Sequence, residues 1–187
     1  MSKGKLFIIS GASGVGKGTV LEGVMKVRED LAFSVSATTR PPRPGEVEGK
    51  HYYFVTRDRF QQMVEQDDFL EYDHHADNGY GTPRAQLEEK LVDSHVILDI
   101  EPKGAKIVHE KRPDATLIFI MPPSMEELER RLRGRGDTSE EQMRLRLDRA
   151  KWEMEQSKKY DFVVVNDDVQ RCADEILNII SRKAEKE

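Results

Sequence analysis

Gly11-Ala12-Ser13-Gly14-Val15-Gly16-Lys17 follows directly on the apolar run Lys5–Ser10 and precedes Thr19–Val27, where Leu21, Val24 and Met25 recur at helical spacing. The order is strand, glycine loop, helix. Glycines let backbone N–H groups converge on one anion, the helix N-terminus adds a favourable dipole, and Lys17 brings a mobile positive charge. The spacing matches the first seven positions of the phosphate-binding pattern G-x-x-x-x-G-K-[ST] in the strand-to-helix context that pattern requires. The ligand it implies is a nucleoside triphosphate, held along Gly11, Ala12, Ser13, Gly14, Val15, Gly16, Lys17, Gly18 and Thr19. Gly18 stands where a Ser or Thr hydroxyl commonly helps to hold magnesium, so Mg²⁺ is expected to be held largely by the phosphates and water.

Outward from this loop the chain reads as α/β. Three apolar runs, His95–Ile100, Ala115–Met121 and Asp161–Val165, have the character of buried strands and are separated by helical segments. That alternation predicts a parallel sheet flanked by helices on both faces. A further β-branched run, Phe33–Thr39, leads into Arg40-Pro-Pro-Arg43-Pro-Gly-Glu46, where three prolines exclude helix and central strand. From Tyr52 to Gly81 the apolar residues are scattered around one short helix, Asp58–Gln66, which predicts an inserted lobe over about 33–82. Arg84–Val92 and Val169–Lys183 read as helices, the latter capped by Asp167 or Asp168. The charged segment Ser124–Lys159 is helical with a break at Gly134-Arg135-Gly136, which predicts an Arg-rich lid over about 127–158. The core then comprises about 1–32, 83–126 and 159–187, within a single domain of 187 residues.

Composition narrows the function. Thirty Lys and Arg against 35 Asp and Glu give a net charge of −5, which argues against broad, non-specific nucleic-acid binding. No apolar run approaches the roughly 20 residues of a membrane span. The start MSKGKLFIIS runs into the glycine loop without a cleavage signal and reads as a strand, not a leader. One cysteine, Cys172, cannot form an internal disulfide and fits a reducing cytoplasm. His74-His75 lacks the spacing of a metal site and reads as a polar loop.

Arg40 and Arg43, on one proline-stiffened loop, offer forked donors to a dianionic phosphate, and the hydroxyls of Tyr52 and Tyr80 can join them. Asp99 closes a buried strand, at the sheet edge where α/β proteins bind ligands. It can order magnesium, its waters or the residues of the phosphate pocket, or cap the strand end. The whole segment Ser34-Val-Ser36-Ala-Thr-Thr-Arg40-Pro-Pro-Arg43-Pro-Gly-Glu46-Val-Glu-Gly-Lys-His-Tyr52-Tyr-Phe54 closely resembles the signature segment of guanylate kinases, and the order of the other elements agrees over nearly the whole chain.

The resemblance implies a P-loop kinase with an inserted GMP-binding lobe, moving the γ-phosphoryl group of MgATP onto GMP. Guanine offers N1–H and N2–H donors, and the resemblance assigns Glu71 as their acceptor, with Ser36 and Thr82 at the base edge; Thr82 replaces the serine common there. Glu46 joins Arg40, Arg43, Tyr52, Tyr80, Asp99 and Glu101 on the substrate side. Glu101 stands where the family often has Asp, and Pro102-Lys103 departs from the family pattern before Gly104. Lys17, Arg40, Arg135 and Arg146 carry the catalytic charge; Arg131 and Asn166 join the ATP side, Asn166 as an adenine contact or a helix cap. The acceptor phosphate has a second pKa near 6, so the transfer needs no general base. Competing readings are a kinase for another nucleoside monophosphate, which Glu71 with Ser36 opposes, and a phosphopeptide-binding scaffold domain, which the intact loop and the lid arginines oppose.

Overall fold

The computed structural model describes residues 4–75, 77–134 and 139–185. β1 (Leu6–Gly11) passes through the glycine loop into α1 (Lys17–Val27), followed by β2 (Leu31–Phe33), β3 (Ala37–Thr38), β4 (Tyr53–Phe54) and α2 (Arg57–Glu65). β5 (Phe69–His75) and β6 (Asn78–Pro83) form a hairpin ahead of α3 (Arg84–Asp93), β7 (His95–Asp99), α4 (Pro102–Lys111) and β8 (Thr116–Met121). α5 (Met125–Arg133), α6 (Glu140–Gln156), β9 (Phe162–Val165) and α7 (Val169–Ala184) complete the chain.

The central sheet is wholly parallel, in the order β2-β7-β1-β8-β9. Because side chains alternate along a strand, Phe7, Ile9, Ile97, Ile118 and Ile120 face one layer, built from Leu21 and Val24 of α1, Leu128 and Leu132 of α5, and Cys172 and Ile176 of α7. Leu6, Ile8, Val96, Leu98 and Leu117 face the other, built from Leu87 and Leu91 of α3 and Ala105 and Val108 of α4. Both faces are covered, which is why these strands read as continuous apolar runs. The parallel arrangement also gathers at one edge the glycine loop after β1, Asp99-Ile100-Glu101 after β7, and Asn166 after β9.

A smaller sheet, in the order β4-β3-β6-β5, packs around Ala37, Phe60, Met63 and Phe69. The β-branched run Phe33–Thr39 is divided between the two sheets. The Ser34 amide still donates to Ile97 O at 2.8 Å in the central sheet, whereas Ser36 O accepts from the Tyr53 amide at 2.9 Å in the small one. The pattern is continuous because both halves are covered by a sheet, and the crossing carries Ser36 to the seam. His74 and His75, expected in a loop, instead end β5, paired with Gly79 and Asn78 across the hairpin. Gly134 is the C-cap of α5, and the Ser139 hydroxyl accepts from the Gln142 amide to cap α6. Arg135 and Gly136, also part of the expected break, lie outside the described residues. No helix among the described residues is long and apolar enough to cross a membrane.

Of the two candidate caps of α7, Asp168 does the capping: its Oδ1 accepts the Arg171 amide at 2.9 Å, while Asp167 pairs with the Arg171 guanidinium. Asp168→Ala is expected to cost about 1 kcal/mol and to lower the calorimetric unfolding midpoint by roughly 2–4 °C, with Asp168→Asn close to wild type.

Candidate active site

The glycine loop turns over two residues in the left-handed region, Gly14 (φ 86°) and Gly16 (φ 90°). At Gly14 an added Cβ would also stand 2.5 Å from Leu132 Cδ2, so the position excludes a side chain on both counts. α1 starts at Lys17, which leaves its first-turn N–H groups without intrahelical acceptors and available to an anion. Behind the loop, buried Asn166 donates Nδ2–H to Val15 O at 2.8 Å. Arg131 donates to the same carbonyl at 3.1 Å, to Asn166 O at 3.0 Å and to Glu127 at 2.7 Å. Hydrogen bonds from Arg130 and then Arg131 hold the pKa of the Glu127 carboxyl at about 2. Arg131 and Asn166 thus back the loop from below. In front, Lys17 forms an ion pair with Asp99, and the Ser13 amide donates to Glu153 Oε2 at 2.8 Å.

Beside the loop, between the end of β7 and the small sheet, lies a second cavity. Ser36, Tyr52, Glu71, Tyr80, Asp99 and Glu101, all nominated by the sequence, line it. A β-bulge aims Glu71: Phe69 pairs with Pro83 but Tyr72 with Gly81, so two residues of β5 oppose Thr82 alone. Thr82 Oγ1 donates to Glu71 Oε1 at 2.6 Å inside the protein. The other oxygen, Oε2, lies over Gly104 on α4, where a Cβ would stand 2.9 Å away. Burial raises the Glu71 pKa above the usual carboxylate value, against the opposing effect of the Thr82 bond.

Arg40 makes a forked pair with Glu46, both bonds 2.7 Å, and its guanidinium lies 5.1 Å from the Tyr52 ring centroid. Glu46 also accepts the Arg43 amide at 2.7 Å. Hydrogen bonds from Arg40 and then from the Arg43 amide bring its pKa down to about 2. Glu46 therefore backs Arg40 and is not in the cavity wall, while the Arg43 side chain is exposed. Arg146 points to solvent on α6, and Arg135 lies outside the described residues. Asp73, Lys103, Glu153 and Arg149 lie at the site without having been nominated. Asp73 lies two positions beyond Glu71 on β5 and joins it in the cavity wall, bonded to Lys103 at 2.9 Å; strand alternation carried that signal. Glu153, only 2% exposed, looked like one more acidic residue of a charged helix. Its i,i+4 partner Arg149 was the available clue.

A loop suited to a polyphosphate, set beside a cavity with a buried carboxylate, two tyrosines and an adjacent forked arginine, is the arrangement expected of a P-loop kinase with a small phosphorylated acceptor. Comparison with known proteins agrees: the guanylate kinase family model matches residues 3–183. A guanylate kinase of Trichodesmium erythraeum is 50% identical over 91% of this chain and 92% of its own, and one of Thermus thermophilus is 48% identical over 96% and 81%. The crystal structure of guanylate kinase from Anaplasma phagocytophilum superposes with a TM-score of 0.77 at 36% identity, covering 99% of this chain and 88% of that one. The chain belongs to the guanylate kinase family, enzymes that phosphorylate GMP with ATP as donor.

Two predictions test the seat of Glu71. Gly104→Ala, ordinarily favourable in a helix, should push the carboxylate aside and raise the KM for GMP roughly tenfold with the KM for ATP little changed, in steady-state assays. A raised carboxyl pKa means that the folded state binds the proton more tightly than the unfolded one, so ionised Glu71 costs stability as pH rises above its ordinary value. Glu71→Gln should therefore melt at a higher temperature than wild type at pH 7, and the gap should close near about pH 4.

Proposed function

We propose that the chain transfers the γ-phosphoryl group of ATP to a GMP phosphate oxygen by in-line displacement, with ATP on the glycine loop and GMP in the cavity beneath β5 and β6. The observation that carries this reading is the buried Thr82–Glu71 pair: a carboxylate kept from water with one oxygen still free of a hydrogen bond from Thr82 suits the N1–H and N2–H donors of guanine. Adenine offers no such pair of donors at that edge, so AMP would leave the carboxylate desolvated and unpaired. Ser36 is the hydroxyl at the base edge. Arg40, Arg43, Tyr52 and Tyr80 take the acceptor phosphate, with Glu46 fixing the plane of the Arg40 fork.

On the donor side the loop amides and Lys17 hold the β- and γ-phosphates, and Asn166 and Arg131 act through the loop carbonyls they bind. The Lys17–Asp99 pair opens as the phosphates take over Lys17. No group of three or more His, Cys, Asp or Glu able to hold a metal occurs among the described residues. Asp99, the carboxylate at the end of β7, would order the waters of a Mg²⁺ ion held by the phosphates. Bound there, the ion neutralises phosphate charge during transfer. The small sheet with residues 33–82 forms the GMP lobe and the segment 127–158 the lid, and their closure brings Arg146 to the phosphates and excludes water. The reaction takes place in the cytoplasm.

A coupled ADP-release assay with MgATP and GMP, AMP, CMP or UMP tests this reading. GMP alone should turn over, and Glu71→Gln should lose roughly 10²-fold in kcat/KM. A folded protein that turns over none of the four would refute it.

A further inference from the structure

Arg149 was not among the arginines that the charge pattern marks for the phosphates, yet it is the α6 arginine that reaches the site. Its Nη2 donates to Glu101, and its Nε donates to Glu153 Oε1 at 3.0 Å. The second oxygen of Glu153 accepts the Ser13 amide of the glycine loop at 2.8 Å. Glu153 is 2% exposed and lines the loop cavity; Glu101 lines both that cavity and the acceptor cavity. An unbroken chain of charge-assisted bonds therefore runs from a phosphate-loop N–H, through a helix outside the central sheet, to the wall of the acceptor pocket. Burial acts against the charge of Arg149, but Glu101 and Glu153 outweigh it and keep its pKa above the ordinary value.

A buried carboxylate beside an anion site is electrostatically unfavourable unless it is paired, and Arg149 supplies the pairing. A guanidinium bracketed by two carboxylates, one at each nucleotide cavity, responds to charge arriving in either. Phosphate entering the glycine loop competes for Arg149 from the Glu153 side, and the acceptor phosphate does so from the Glu101 side. Loosening one bond changes the hold on α6 that the other provides. We propose that Arg149 is a positioning residue that couples the two sites, setting α6 over the glycine loop according to whether the acceptor cavity is filled. This rests on the assignment of ATP and GMP to the two cavities.

The test combines steady-state kinetics with calorimetric titration of a non-hydrolysable ATP analogue, with and without GMP. In wild type, GMP should tighten binding of the analogue several-fold or more, within the usual range for coupled sites of about 5- to 150-fold. Arg149→Ala should bring that factor near one and lower kcat roughly 10- to 100-fold, with the KM for each nucleotide changed far less. Arg149→Lys, which keeps the charge but not the fork, should recover part of both. Glu101→Gln, at an exposed position that does not threaten folding, should reduce the coupling factor in the same direction even if Arg149→Ala proves unstable. Coupling and kcat within twofold of wild type in Arg149→Ala, or in Glu101→Gln where the former does not fold, would overturn the proposal. Failure of wild type to turn over GMP would instead count against the assignment of the cavities, a separate outcome.

Discussion

The carbonyl of Val15 accepts hydrogen bonds from Asn166 at 2.8 Å and from Arg131 at 3.1 Å, and through them the end of β9 and helix α5 are tied to the glycine loop. Only Ala12 and Val15 anchor the loop in the core, and its three glycines lose more conformational freedom on folding than any other residue. The two bonds from below replace that missing restraint. Because both act from behind, the face of the loop toward its cavity stays open, with the Ser13 amide held by Glu153, so the loop is shaped before an anion arrives. The rest of the site is registered to this loop: Lys17 reaches Asp99 at the end of the neighbouring strand, and Ser13 reaches Glu153 on α6.

The acceptor cavity follows a different principle, in which specificity is gained at the expense of stability. Glu71 is held by one hydroxyl in a place where its charge is penalised, and in the proposed function that desolvated carboxylate discriminates between a base that supplies donors and one that does not. The bulge in β5 and the missing side chain at Gly104 are the two backbone concessions that make room for it.

Much of this was legible in the sequence, because the phosphate loop, the buried strands and the proline-stiffened arginine segment are local signals. The loop lies between β1 and α1 as its spacing requires, and six residues nominated for the substrate side share one cavity. What was not legible depended on tertiary placement. The run Phe33–Thr39 carries one pattern but serves two sheets, and the bulge at Glu71 has no marker of its own. On α6 the arginines at 146 and 149 are equivalent by composition; only the packing of the helix against the loop leaves the first in solvent and turns the second toward Glu101. Glu46 belongs to the arginine segment, yet it serves Arg40 from behind and does not wall the cavity.

The pairing of Lys17 with Asp99, Arg40 with Glu46 and Arg149 with Glu101 and Glu153 means that the resting site carries its own counterions. Three of the cations that would attract a nucleotide are already neutralised by tethered carboxylates, not by a diffuse cloud of dissolved salt. Nucleotide entry then becomes an exchange of partners within the protein and sets few small ions free. Affinity should accordingly depend less steeply on ionic strength than a count of basic residues suggests, since a tethered carboxylate is not diluted with the buffer. The chain can bind highly charged ligands while remaining, overall, an acidic protein.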